Sequence, residues 1–468
     1  MLFPTSSFLF FFAVFFPVYW ALRVHRTRML WLLLASCVFY MSWNPWLILL
    51  ILFSASVDYA AALAIERSNS ARVRRMLLVG SICLNLSLLA FFKYANFFLD
   101  SAGQALGLFD IVLSRQTLDI ILPLGISFYT FETISYIVDV HGGRTRAVRS
   151  PLDYALFIMF FPHLVAGPIV RPRDFLPQLQ RRKRWNWNRL YLGARLFLIG
   201  LFKKSIIADY LGQHVVDPVF ADPAAYGSLA VWLAALAYAV QIYGDFSGYS
   251  DMGIGLAHTL GFKLPANFRY PYLAADITEF WRRWHISLSS WLRDYLYIPL
   301  GGSRFGTLLT YRNLVIVMLL GGLWHGANWT FVVWGLYHGA LLALHRALPW
   351  PRAISAPLLR PLHIMSTFLL VVVGWVFFRA QTLGEATLLL GRMAWPAPGL
   401  ALAPQLVLLV WTCLALTLLG HLLGTHLDSP RAERRIPAPV MGAALASLLA
   451  LVLVLFPDST RAFIYFQF

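Results

Sequence analysis

Residues 319–330 read LLGGLWHGANWT, and His325 is the one ionisable side chain in a run that is otherwise apolar, aromatic or small. A neutral imidazole takes a proton from a hydroxyl or thiol near neutral pH, which few other side chains can do. Gly321, Gly322 and Gly326 leave room for a substrate or a second helix to come close. Asn328, three residues on, is placed to orient the ring. The structural alternative is a histidine that hydrogen-bonds two helices together. A second histidine, His285, lies in EFWRRWHISLSSWLRDYLYIPLGG (279–302), where Arg282, Arg283 and Arg293 suit an anionic headgroup or the phosphates of a cofactor. The run QIYGDFSGYSDMGIG (241–255) sets Asp245 and Asp251 among glycines and tyrosines. They are candidates for donor binding, or they cap broken helices and pair with nearby arginines.

Glu132 occupies a costly position inside an apolar run, so it pairs with an arginine or lines a polar path. His163 and His338 read as structural. No HExxH, clustered Cys/His spacing, G-x-S-x-G elbow or P-loop is present, so neither a metal site nor a covalent serine enzyme is indicated.

The elements that must position these residues are set by composition. The chain has 468 residues, 59% hydrophobic and 13% charged, with a mean hydropathy of +0.67; a soluble domain carries about 25% charged residues. Apolar runs suited to a bilayer core of about 30 Å fall near 3–22, 29–43, 45–65, 76–98, 118–139, 190–210, 227–249, 313–328, 329–345, 363–378, 405–424 and 438–456. No long polar segment is left to fold separately. The expectation is an all-α polytopic membrane protein, a single domain over 1–468, with about 11–13 transmembrane helices. The first run lacks a basic n-region and a cleavage site and reads as a retained span. Cys37, Cys83 and Cys413 all fall in apolar runs and imply no disulfide framework.

The net charge of +17 is dispersed over short segments between apolar runs, which argues for membrane orientation and against nucleic acid. Arg-rich loops (23–28, 66–75, 141–150, 171–189, 263–312, 346–362, 425–437) alternate with Arg-poor ones, so both termini are expected outside; Arg379 and Arg392 in 379–404 fit less well. Residues 151–170 have basic flanks on both sides and contain Pro162, Gly167 and Pro168, which predicts a shielded re-entrant hairpin. In the semi-polar segment 250–312, Trp281, Trp284, Leu288, Trp291 and Tyr295 recur at helical spacing. This predicts one amphipathic cytoplasmic helix with Thr278 as N-cap and His285 at the border of its faces, lying at the interface or packed into the protein. From Arg312, thirteen residues lift His325 about 20 Å into the apolar layer.

Several stretches together resemble the membrane-bound O-acyltransferase family, in particular its bacterial alginate O-acetylation branch. They are FKYANFF (92–98), LPLGISFYTFETISYIVDV (122–140), FPHLVAGPIVRPRDF (161–175), DFSGYSDMGIG (245–255), EFWRRWHISLSSWLRDYLYIPLGG (279–302), LLGGLWHGANWTFVVWG (319–335) and FIYFQF (463–468). The most specific wording lies within 241–345; residues 346–460 match mainly in hydropathy. The resemblance implies a multi-helix fold with a central tunnel reached from both sides of the membrane. It assigns His325 as the catalytic histidine and His285 as the second family histidine. It implies an O-acetyltransferase in the bacterial inner membrane with no tightly bound cofactor. Acetyl-CoA would be the cytoplasmic donor, and an exopolysaccharide such as alginate or cellulose the acceptor. The partners implied are a periplasmic or membrane-anchored O-acetyltransferase, the exopolysaccharide biosynthesis complex and membrane lipid. The alternatives are an export channel for polysaccharide or acyl groups, transfer of D-alanyl or another acyl group to an envelope polymer, or a scaffold for a periplasmic transferase.

Overall fold

Inside a bilayer no water satisfies backbone N–H and C=O groups, so an apolar run that stays in one piece must be helical. The computed structural model describes residues 1–111, 118–165, 167–348, 357–427, 437–456, 461 and 464, and every one of the twelve expected runs carries a helix. Of the FIYFQF motif only Ile464 is among the described residues. Among the described residues the only β-type pairing is an isolated bridge between Tyr226 and Leu400. Seven helices there are long and apolar enough to cross a membrane: 45–67, 71–107, 228–259, 307–325, 360–379, 404–427 and 438–455. The chain is an all-α, multi-pass membrane protein. It folds as two compact units, Met1–Ala194 with Gly253–Pro265, and Arg195–Met252 with Ala266–Phe468.

The first unit contains α1 (Ser6–Ala21), α2 (His25–Met41), α3 (Ile48–Arg67), α4 (Ala71–Leu89), α5 (Ala95–Gly107), α6 (Ile126–His141), α7 (Pro151–Met159), α8 (Phe161–Leu164), α9 (Pro172–Gln180) and the start of α10 (Trp187–Leu201). The predicted re-entrant segment is broken at Phe160, between α7 and α8, and residues 156–165 are buried. The ring of Phe161 packs against Phe15 and Phe39, each at a centroid distance of 5.5 Å. Glu132 pairs with His163 (Nδ1 to Oε1 3.2 Å) and not with an arginine, and it accepts the Val170 N–H at 3.1 Å. A polar knot joins α3, α4 and α6. Asn85 Nδ2 donates to both carboxylate oxygens of Asp58 (3.0 and 2.9 Å), Ser81 Oγ donates to Asp58 (2.5 Å), and Ser54 and Thr133 donate to Asn85 Oδ1 (2.9 and 3.1 Å).

The second unit contains α11 (Asp209–Leu211), α12 (Asp217–Ala221), most of α13 (Ser228–Thr259), α14 (Ile277–Arg283), α15 (Ile286–Leu292), α16 (Thr307–His325), α17 (Trp329–Ala347), α18 (Arg360–Arg379), α19 (Leu383–Ala394), α20 (Pro404–Leu427) and α21 (Ala438–Leu455). The DFSGYSDMGIG run is not a broken helix end: α13 continues through it without interruption. α16 and α17 form a hairpin at backbone contact. A Cβ on Gly322 would stand 2.2 Å from the Phe331 carbonyl oxygen, and one on Gly335 2.4 Å from that of Met318.

The single amphipathic helix predicted around 278–295 is two helices. Its N-cap is Asp276, whose Oδ1 accepts the Glu279 N–H at 2.7 Å, and not Thr278. The chain then breaks at Trp284 and His285, where His285 takes a left-handed conformation (φ +43°). Segment 267–269 stabilises the break, because Arg269 N donates to Arg283 O (2.9 Å) and Ile286 N to Asn267 O (2.8 Å). The kink lets Trp284, His285, Leu288 and Trp291 all face the interior, so this element is packed into the protein rather than laid on an interface.

The polar knot of the first unit gives a direct test. Asn85→Leu strips the Asp58 carboxylate of its amide donor and is expected to destabilise the protein by about 2–3 kcal/mol. The read-out is the thermal unfolding midpoint in detergent. Adding Asp58→Leu is expected to recover most of the loss, because an apolar pair leaves no charge unpaired; no recovery would mean that the knot does not carry this energy.

Candidate active site

His325 is the last residue of α16, and its side chain is buried. From Thr307, eighteen steps at about 1.5 Å carry the chain about 27 Å, most of the depth of an apolar layer. Its ring meets Trp324, Trp334 and Phe378 edge-on, each at a centroid distance of 5.1 Å. The other candidate, His285, comes to it from the kink between α14 and α15, with ring centroids 6.4 Å apart. The two histidines are forty residues apart in sequence and share one aromatic chamber.

His285 is fully buried, with its ring against Phe246 at 4.5 Å. Its Nδ1 lies 3.1 Å from Asn267 Oδ1, which also receives the Ser287 backbone N–H (3.2 Å) and Ser287 Oγ (2.9 Å). A backbone N–H can only donate, so the amide atom at the centre of this group is the oxygen. Nδ1 of His285 therefore carries the proton, and Nε2 keeps its lone pair. Among the described residues Nε2 has no hydrogen-bond partner. Burial pushes the His285 pKa down to about 3, so this ring stays neutral at any physiological pH. A non-glycine residue in the left-handed region costs about 1–3 kcal/mol and is retained where the surroundings over-determine it. Here Asn267 does so, bonding to the backbone on one side of the kink and to the ring on the other.

The remaining sequence candidates do not converge on this chamber. Asn328 caps α17, with Oδ1 accepting Thr330 N (3.0 Å) and Nδ2 donating to Gln381 O (2.8 Å), so its side chain is engaged away from the imidazole. Arg282 and Arg293 are exposed, and Arg293 bonds to its neighbour Asp294 at 2.8 Å. Arg283 pairs with Glu279 at 2.5 Å. Asp245 and Asp251 pair with lysines: Asp251 with Lys203 at 2.7 Å, and Asp245 with Lys204 at 2.5 Å, where Lys204 also holds Asp209 at 2.7 Å. Asp245 further accepts the Ile464 N–H at 2.8 Å. Among the described residues no three His, Cys, Asp or Glu side chains are grouped to hold a metal ion.

Two positions escape the sequence reading. Lys204, the partner of Asp245, stands inside an apolar run, so the criterion that singled out His325 would have found it. Asn267 left no signal, because an asparagine in a semi-polar loop has no periodicity to break. His338 is buried between Trp281 (5.1 Å) and Trp334 (4.9 Å), one aromatic ring away from His325.

Comparison with known proteins places this geometry. The probable alginate O-acetylase of Azotobacter vinelandii is 48% identical over 393 residues, 82% of this chain and 76% of its own length. That of Pseudomonas aeruginosa is 46% identical over 394 residues, covering 82% and 73%. The peptidoglycan O-acetyltransferase of Helicobacter pylori is 39% identical over 429 residues, covering 84% and 80%. The family model for membrane-bound O-acyltransferases matches residues 83–384, the stretch that holds both buried histidines and the kink between them, and the chain belongs to the membrane-bound O-acyltransferase family.

Proposed function

We propose that this acyltransferase takes an acetyl group from acetyl-CoA on the cytoplasmic side of the bacterial inner membrane. It passes the group towards the outer face, for O-acetylation of an envelope glycan such as alginate or cellulose. A periplasmic or membrane-anchored transferase and the polymer's assembly machinery are the partners this reading requires. The relatives support it through their names, since alginate and peptidoglycan both offer sugar hydroxyls as acceptors. The observation that carries it is the pair of buried imidazoles 6.4 Å apart, one of them locked in a known tautomer.

The two rings divide the work. A general base serves best with a pKa near the working pH, and His285, neutral down to about pH 3, holds a proton poorly. In this mechanism Nε2 of His285 accepts a hydrogen bond from a neighbouring hydroxyl of the acceptor sugar and so orients it, and His325 removes the proton of the attacking hydroxyl. The hydroxyl oxygen then bonds to the thioester carbonyl carbon, the C–S bond breaks, and the proton on His325 passes to the departing thiolate sulfur. The aromatic walls exclude water, which would otherwise hydrolyse the thioester.

His325→Ala is expected to abolish acetyl esters on the polymer while protein level and polymer yield stay normal. Acetylation retained in that variant would reduce His325 to a packing residue. Asn267→Leu releases the His285 tautomer and is expected to lower turnover about 10²-fold or more, as for loss of a positioning contact, with the protein still inserted. His285→Gln, which keeps an acceptor oxygen, should lower the rate without moving the acid limb of the pH–rate profile; a displaced limb would reverse the two roles. The burial of His285 has a second consequence. The unfolded chain binds a proton at the ordinary histidine pKa and the folded chain only near pH 3, so this group's contribution to stability is full above about pH 6.5 and is lost as pH falls towards 3. For the orientation, single cysteines introduced near residues 108 and 182 should be labelled from opposite sides of the membrane; reaching both from the cytoplasm would overturn it.

A further inference from the structure

The first unit carries a basic face that plays no part in the site above. Three of its segments, 22–28, 172–189 and 258–263, contain a single carboxylate, Asp174, and that lies beside Arg173 at 3.9 Å. Against it stand the exposed arginines Arg23, Arg26, Arg181, Arg182, Arg184 and Arg189. They are held side by side by the fold. The buried Arg28 donates to Lys183 O (2.8 Å) and Leu22 O (3.0 Å), His25 Nε2 meets Leu179 O (2.7 Å), and Arg182 donates to Arg23 O (3.3 Å). Arg189 ties the third segment in through Gly261 O at 2.9 Å. The crowding of positive charge is felt locally. Burial, with Arg189 and Arg181 adding to it, brings the Lys183 ammonium down to a pKa of about 7.

So many guanidiniums with so little counter-charge repel one another unless an anion sits among them. The flanking residues say which anion. Trp187 is 71% exposed and Trp185 41% exposed, and Trp185 meets Trp20 edge-on at 5.2 Å, at the end of α1 where its apolar run stops. Exposed indoles beside arginines at the end of an apolar helix match the headgroup level of a bilayer. We propose that this face binds the phosphodiester headgroups of anionic phospholipids, with Trp185 and Trp187 seated among them. Guanidinium forks suit phosphate oxygens in a bidentate manner. A zwitterionic headgroup brings its own cation and does not relieve the excess charge.

The test uses the full chain in nanodiscs of phosphatidylcholine, with or without phosphatidylglycerol. The read-outs are the thermal unfolding midpoint and the anionic lipid retained in native mass spectrometry. Phosphatidylglycerol is expected to raise the midpoint, less so in high salt. Replacing Arg181, Arg182 and Arg184 together by Gln should remove most of that rise and lower lipid retention about 10²-fold. Replacement by Lys, which keeps the charge but not the fork, should keep part of the rise, and Arg146→Gln with Arg149→Gln elsewhere in the unit should keep all of it. An equal rise in the wild type and the Gln triple variant would overturn the proposal. So would coenzyme A, added to phosphatidylcholine discs, reproducing the whole rise, because the face would then serve the donor's phosphates. Should the Gln variant fail to assemble, the wild type still decides: a rise that salt does not weaken would refute binding through these charges.

Discussion

A polar group inside a lipid-facing helical protein has only the protein to turn to, and the arrangement of this chain follows from that constraint. Several charged and amide side chains in the apolar helices have fixed partners. Asp58 has Asn85 and Ser81, Glu132 has His163, and Lys204 sits between Asp209 and Asp245. These contacts set which helices lie together, since apolar side chains in lipid have little reason to prefer one another over the lipid itself.

Asn267 applies the same constraint to chemistry. Its one side-chain oxygen collects a backbone N–H, a hydroxyl and an imidazole N–H. Its backbone carbonyl accepts the N–H of the residue after His285. The kink, the burial of His285 and the tautomer of its ring are therefore one event. A straight amphipathic helix would have left His285 at the border between water and protein, where neither its pKa nor its proton position would be defined.

The chamber walls matter as much as the imidazoles. Trp324, Trp334 and Phe378 present ring edges to His325, and the hairpin that carries Trp334 is held at backbone contact by Gly322 and Gly335. Close helix packing and aromatic enclosure together make a dry site, in which charge–dipole interactions are strong.

The sequence by itself determined the helical, multi-pass character and the location of every expected apolar helix, and it singled out His325 as an ionisable group within an apolar run. Those properties follow from runs of apolar residues and from the cost of an ionisable group within one, and both are local. It also marked Glu132, Asp245 and Asp251 as polar groups that needed partners, without showing that the partners are His163, Lys204 and Lys203. Only the tertiary structure decided that the helix around His285 breaks, that Asn267 holds the break, and that His285 meets His325. Helical periodicity across 278–295 is satisfied equally well by one helix or by two, and hydrogen bonds to a segment fourteen to twenty residues earlier tip the balance. Such bonds depend on where the chain returns in space, which no local pattern of residues encodes.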